Sequence, residues 1–191
     1  MIREIKIAAI MFATDKNYSP YYNVLPSLIR ERNYKKGIEI GVFAGGHIKA
    51  ILDTTEVELV VGVDPYKMYK KGMPGLDNQK DWDCLCALSN DRIDSERYVH
   101  LRMSSDEAIH NPIFQNKTFD FVFIDGLHTY DQLKSDLVNY SSLIRKGGVI
   151  ACHDYKHPNF RHLTTAINEF ARRHRTKVIE CPLHAIYMEW K

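Results

Sequence analysis

Gly37-Ile38-Glu39-Ile40-Gly41-Val42-Phe43-Ala44-Gly45-Gly46 decides the reading of this chain. It is a short strand that runs into a glycine-rich turn, and helical sequence follows from His47 to Leu52. Leu59-Val60-Val61-Gly62-Val63 comes next, an unbroken apolar run ending at Asp64. Such runs are buried on both faces of a parallel sheet. Further strands are expected at Tyr98 to Leu101, Phe119 to Ile124 and Gly148 to Cys152.

Helical patterns fill the intervals. Ser104-Ser105-Asp106-Glu107 and Thr129-Tyr130-Asp131-Gln132 each have the form of a capping box. The second opens a helix with Leu133, Leu137, Tyr140 and Ile144 on one face, stopping at Lys146-Gly147-Gly148. Leu163, Ala166, Ile167, Phe170 and Ala171 mark a last amphipathic helix, and Val24, Leu25, Leu28 and Ile29 an early one between Pro20 and Asn33. Val178 to Glu180 and Ala185 to Trp190 form a closing pair of strands around Pro182. Strands alternating with helices predict an α/β fold. It is a doubly wound, Rossmann-like, mostly parallel seven-stranded sheet with helices on both faces and a closing antiparallel strand. One domain over 1–191 is expected, with residues 1–33 as an N-terminal helical segment. Residues 65–97, with Tyr66, Met68, Tyr69, Met73, Pro74, Gly75 and Trp82, read as a lid or substrate loop.

The composition agrees with a soluble domain. The 191 residues carry 26 basic and 24 acidic side chains, for a formal charge of +2, which argues against an obligatory nucleic acid or anionic membrane partner. No apolar run approaches the ~20 residues of a membrane helix. The run from Ile7 to Ala13 is at the short limit for an export signal, and Glu4 stands where such signals are basic. Cys84, Cys86, Cys152 and Cys181 offer one close pair without a second, so a reduced, cytoplasmic protein is expected rather than a zinc ribbon.

Ligands of open parallel sheets bind beyond the carboxyl ends of the strands. Here those ends carry Glu39 and Gly41, Asp64, Ser104, Asp125, and His153 with Asp154. Carboxylates gathered at one sheet edge call for a cation or a hydroxyl-rich ligand. Gly41 to Gly46 lets the backbone approach that ligand, and Asp64, 23 positions after Gly41, can accept ribose hydroxyls. A nucleoside cofactor follows. Neither G-x-G-x-x-G nor a P-loop is present, and Glu39 would repel a pyrophosphate but attract an ammonium group.

Glu39-Ile-Gly41-x-x-x-Gly45, Asp64 and Phe123-Ile-Asp125-Gly-Leu-His128-x-Tyr130 together resemble class I S-adenosylmethionine-dependent methyltransferases. Thr14-Asp15-Lys16-Asn17, ahead of Tyr18, Tyr21 and Tyr22, and Gly147-Gly148-Val-Ile-Ala-Cys-His153-Asp154-Tyr155 resemble the small-molecule O-methyltransferase branch that includes the macrolide sugar enzymes. The resemblance implies that Glu39, Gly41 and Gly45 cradle the methionine end of S-adenosylmethionine, that Asp64 holds the ribose, and that Ser104, Ser105 and Asp106 lie at the adenine. Asp125 would sit close to the transferred methyl, and His128 would be the general base. In metal-dependent members an acidic residue at Asp125 and a pair after the fifth strand hold Mg²⁺. Here the pair is His153-Asp154, which leaves open Mg²⁺, a softer divalent ion or no metal.

A small-molecule hydroxyl acceptor, a sugar or glycosylated metabolite first, and pairing into a homodimer are the implied partners. Three alternatives remain. Tyr130-x-x-x-Lys134 would suit an NAD-dependent oxidoreductase, though Glu39 speaks against NAD. Arg172-Arg173-His174-Arg175 would suit an RNA methyltransferase, against the near-even charge balance. A non-catalytic nucleoside-binding module would leave the Glu39, Asp64 and Asp125 set without use.

Overall fold

A computed structural model describes residues 1–18, 21–68, 75–115 and 118–191, with the side chains of residues 15–18 and 21 left aside. The side chains of Asp15 to Tyr18 and of Tyr21, and residues Tyr69, Met73 and Pro74 altogether, therefore lie outside the described residues. The elements in chain order are α1 (Ile2–Tyr18), α2 (Val24–Arg32), β1 (Lys36–Ile40), α3 (Gly46–Thr54), β2 (Leu59–Val63), α4 (Gln79–Ile93) and β3 (Tyr98–Leu101). They continue with α5 (Ser105–Ala108), β4 (Phe119–Ile124), α6 (Tyr130–Ser141), β5 (Ile144–Cys152), α7 (Arg161–Arg173), β6 (Val178–Glu180) and β7 (Ile186–Glu189).

The seven strands form one sheet in the order β3-β2-β1-β4-β5-β7-β6. β1 pairs in parallel with β2 and β4, β2 with β3, and β4 with β5; only β7 runs against its neighbours. The expected sheet is therefore the observed one. Strand side chains alternate between two cores, as a period of two requires. Phe121, Phe123, Val149 and Ala151 face a core shared with residues of α1 to α4. Val122, Ile124, Ile150 and Cys152 face a second core with α6 and α7. After β3 the chain crosses back to place β4 beside β1. The switch point of the sheet thus lies between the ends of β1 and β4, where ligands bind in this architecture.

Two local expectations are corrected. α6 ends at Ser141 rather than at Lys146, and Ile144 already belongs to β5. Ile144 follows Tyr140 at helical spacing, but its side chain fills the same core from a strand. Thr129 caps α6 by accepting from the Gln132 N–H (3.3 Å), but the Gln132 amide does not complete a capping box; it turns to Ser105 and Asp136 (both 3.1 Å). At Ser104 both halves of the capping box are present. Within the stretch 65–97, Gln79–Ile93 form α4, opened by Asn78, whose side chain accepts from the Asp81 N–H. Trp82, Leu85 and Tyr66 are buried in the first core, so neither aromatic side chain is available to close over a ligand; Met68 remains exposed.

Candidate active site

The glycine turn is built by backbone constraint. Gly41 has φ +88°, and a Cβ there would lie 2.1 Å from the carbonyl oxygen of Asp125. The ends of β1 and β4 can close to this distance only around a glycine, and the Asp125 N–H donates to Ile40 O (2.8 Å) to lock the approach. Gly45 (φ +72°) then turns the chain into α3.

Asp64 stands under this turn. The N–H groups of Val42 and Phe43 donate to its Oδ2 (3.0 and 2.9 Å), and that of Tyr66 to its Oδ1 (2.8 Å). Burial pushes its carboxyl up, and the three N–H groups pull it back toward the anion. A carboxylate has about four acceptor positions. Three serve the loop, which leaves one for a ligand hydroxyl. Glu39 is 2% exposed, and His47 Nδ1 stands 2.8 Å from its Oε2. Burial raises the Glu39 carboxyl against the pull of His47, while Asp125 and Asp64 add to the rise. His47 was not anticipated. Its signal was its place at the start of α3, directly beyond the strand that carries Glu39.

Ser104 and Ser105 lie beyond β3, as expected, but both are engaged in structure. The Ser104 hydroxyl donates to Glu107 Oε2 (2.7 Å), and Ser105 Oγ accepts from the Gln132 amide. Asp136, missed by sequence reasoning, joins them. It is 1% exposed, and burial pushes its carboxyl from 3.8 up to about 6 against the hydrogen bonds of Ser105 and Gln132. A carboxyl raised on folding stabilises the fold in full below its unfolded value near pH 4. That contribution fades as pH rises through about 6. At pH 8 the buried charge therefore costs ~1–3 kcal/mol. Asp136→Asn is expected to raise the Tm at pH 8 by about 2–10 °C and to bring no gain at pH 4. Thermal denaturation at the two pH values checks this, and an equal gain at both would remove the charge as its cause.

The reactive end of the site lies after β4 and β5. His128 Nε2 stands 2.9 Å from Asp154 Oδ2 and 3.4 Å from Asp125 Oδ1. Its ring stacks on Phe160 (centroids 4.8 Å, interplanar angle 18°). Burial would lower the His128 pKa, but the two carboxylates outweigh it and push it up to about 10. Burial likewise opposes ionisation of Asp125, yet His153 and His128 hold it well below the usual carboxylate range. Asp154 adopts a left-handed backbone (φ 60°), which aims its carboxylate back at His128.

Ligand atoms of Asp125, His128 and Asp154 all lie within 4.8 Å of one another. This differs from the expected metal set in its histidine. His153 Nε2 donates to the carbonyl of Leu183 (2.9 Å), while its Nδ1 lies 3.5 Å from Asp125 and 3.4 Å from Asp154. His153 thus fastens the pair of carboxylates to the loop before β7. That loop is tied on further by the Tyr155 N–H, which donates to His184 O (2.9 Å). The spacing of His128, three after Asp125, signalled its neighbourhood to one carboxylate; its contact with Asp154 needed the strands brought together.

Tyr130 is elsewhere occupied, donating its hydroxyl to Glu169 Oε2 (2.5 Å). The Tyr-x-x-x-Lys string therefore serves the packing of α6 against α7. Cys152 is buried with its thiol pushed up by burial, and all four cysteines are free. Among the described residues no helix is long and apolar enough to cross a membrane.

Residues 38–155, from β1 to just past β5, match a family model described as a methyltransferase domain. The chain belongs to this methyltransferase family. The resemblance to class I S-adenosylmethionine-dependent methyltransferases is thereby borne out, on the segment that carries the glycine turn and every acidic strand end. Among curated proteins, the uncharacterized protein R132 of Acanthamoeba polyphaga mimivirus is 26% identical over 146 residues, or 74% of this chain. The alignment spans 62% of that relative's length.

Solved structures share the fold of this methyltransferase at low identity. The S-adenosylhomocysteine-bound methyltransferase PaMTH1 of Podospora anserina superposes with a TM-score of 0.62 and 15% identity, covering 99% of this chain and 88% of its own. The O-methyltransferase TomG of Streptomyces achromogenes, in complex with S-adenosylmethionine, gives 0.62 and 13%, covering 97% and 90%. The N-methyltransferase NodS of Bradyrhizobium japonicum gives 0.55 and 11%, covering 82% and 78%. The fold thus accommodates both oxygen and nitrogen acceptors, and the acceptor must be argued from the site.

Proposed function

We propose that this protein is an S-adenosylmethionine-dependent O-methyltransferase acting on a hydroxyl of a small polar metabolite, with a sugar or glycosylated compound as the first acceptor class. The observation that carries this reading is the cluster of Asp125, His128 and Asp154 beside the Gly41 turn. Two carboxylates and an imidazole can steer an acceptor O–H, whereas an amine acceptor asks for no such assembly once deprotonated. The turn at Gly41 to Gly46 offers the close backbone approach that the methionine end of the cofactor needs, and the remaining acceptor position on Asp64 suits a ribose hydroxyl.

The cofactor supplies an activated methyl group, so placement at roughly 3–3.5 Å does much of the work. The acceptor hydroxyl holds its proton near pH 7, and the protein must manage it. His128 Nε2 carries a proton between the two carboxylates in the ligand-free protein, so there it orients and neutralises them; only the imidazole without that proton can serve as base. The donor set suits a divalent cation, which Asp125, His128 and Asp154 would hold. When bound, such an ion lowers the pKa of a hydroxyl on it. The free cysteines favour a cytoplasmic setting.

Calorimetry with S-adenosylhomocysteine, repeated with Mg²⁺ and with chelator, tests the reading together with transfer of a labelled methyl group to a panel of hydroxyl compounds. Binding of S-adenosylhomocysteine with label appearing in an alkali-stable ether is the expected result. Absence of binding would overturn the cofactor assignment, and label recovered on nitrogen would overturn the acceptor class.

A further inference from the structure

Tyr66 is fully buried in the first core, its ring edge-on to His100 (centroids 5.3 Å, interplanar angle 87°). Its hydroxyl donates to the carbonyl oxygen of Phe43 in the glycine turn (2.7 Å). Burial pushes the phenol pKa up, so the hydroxyl keeps the proton it donates. Both residues of this contact have left-handed backbones, Phe43 with φ 47° and Tyr66 with φ 44°. Large side chains rarely adopt that region, and such a conformation persists only where its surroundings hold it. α4 supports the same turn from one side. Arg92 Nη1 donates to Ala44 O (3.2 Å), and Trp82 meets the Phe43 ring edge-on (centroids 6.5 Å).

The contact between Tyr66 and Phe43 closes a ring of hydrogen bonds. Phe43 O accepts from the Tyr66 hydroxyl, the Phe43 N–H donates to Asp64 Oδ2, and Asp64 Oδ1 accepts from the Tyr66 N–H. Tyr66 therefore enters the ring twice, by its side chain and by its backbone. The Val42 N–H adds a second bond on Oδ2. With two donors on Oδ2 and one on Oδ1, the acceptor position left over lies on Oδ1, the oxygen that Tyr66 holds. We propose that Tyr66 is a positioning residue of the cofactor site: its hydroxyl holds Phe43 in the left-handed turn and thereby fixes the Asp64 carboxylate with Oδ1 toward a ribose hydroxyl. The inference rests on S-adenosylmethionine as the cofactor and adds the residue that aims its ribose acceptor. Without the hydroxyl, the Phe43 carbonyl loses its buried donor and the peptide is free to leave the left-handed region. Its N–H then parts from Oδ2, and the carboxylate can rotate.

Calorimetry of the full chain with two probes tests this: S-adenosylhomocysteine and its 2′,3′-dideoxy analogue, which lacks both ribose hydroxyls. The wild type is expected to bind the first about 10-fold more tightly or better, as a hydrogen bond to a carboxylate allows. Tyr66→Phe keeps the ring in the core and removes only the hydroxyl. It is expected to weaken S-adenosylhomocysteine about 5–20-fold and the analogue less than about 3-fold, so the preference for the ribose hydroxyls shrinks. A merely structural role would weaken both probes alike; that result, or unchanged binding of both, would overturn the inference. Equal affinity of the wild type for the two probes would overturn it as well. Hydrogen exchange of the ligand-free wild type needs no variant, and the amides of Val42, Phe43 and Tyr66 are expected to be protected. Rapid exchange there would overturn the ring even if Tyr66→Phe did not fold. A wild type that binds neither probe would overturn the cofactor assignment and this inference with it, whereas the other failures leave that assignment standing.

Discussion

His128→Ala is expected to lower turnover by about 10²–10⁴-fold, the range for loss of a positioned proton-transfer group, while S-adenosylhomocysteine still binds. His128 touches both Asp125 and Asp154, and at 2.9 Å its contact with Asp154 is shorter than either contact of His153 with the two carboxylates. Without it two carboxylates, one of them 8% and the other 21% exposed, keep only the longer contacts to His153. The glycine turn and Asp64 do not depend on His128, so cofactor affinity is spared. His128→Gln separates the two roles open to the imidazole. Glutamine can donate to a carboxylate but cannot take up a proton near neutral pH. Partial rescue by glutamine would assign His128 to orientation, and activity as low as that of His128→Ala would assign it to proton transfer. Steady-state methyl transfer beside calorimetry checks this, and undiminished turnover in His128→Ala would take the residue out of the reaction.

Gly41→Ala is expected to be strongly damaging for the addition of a single methyl group. The added Cβ would meet backbone on β4's end, at 2.1 Å from Asp125 O, 2.6 Å from Asp125 C and 2.9 Å from Gly126 Cα. None of these atoms can rotate away. The left-handed φ of +88° adds its own cost, and left-handed strain with overpacking amounts to about 2–5 kcal/mol together. For a chain of this size that lowers the Tm by about 5–20 °C. Relief of the clash would part β1 from β4 and move Asp125, so cofactor affinity and turnover should fall together. Gly45→Ala provides the comparison. Its nearest neighbours are the side chains of Ser89 (2.6 Å) and Ile93 (2.9 Å), which can shift, so its Tm should fall less. Equal Tm values for Gly41→Ala and the wild type would mean that the two strand ends do not depend on this approach.

The strands were legible because buried parallel strands are written as near-continuous apolar runs. Leu59 to Val63 and Phe119 to Ile124 could hardly be anything else. The rim of acidic residues was legible because topology alone puts strand ends on one edge, and Glu39 does feel both Asp64 and Asp125. Helix ends were less so, since Ile144 satisfies a helical period and a strand core equally. The aromatic residues of 65–97 were less legible, because Tyr66 and Trp82 look alike in sequence whether they cover a ligand or fill a core; these two fill the first core.

The sequence by itself determined the order of strands and helices, the glycine turn at the end of β1 and the set of carboxylates available at the sheet edge. Those follow from side-chain periodicity and from where glycine is needed, which are local properties. Only the tertiary structure decided how the carboxylates are paired: Glu39 with His47, Asp64 with the N–H groups of Val42, Phe43 and Tyr66, and Asp154 with His128 as well as His153. Pairing of buried charges depends on distances of a few ångströms between separate loops, and these are fixed only when β1, β4 and β5 lie side by side.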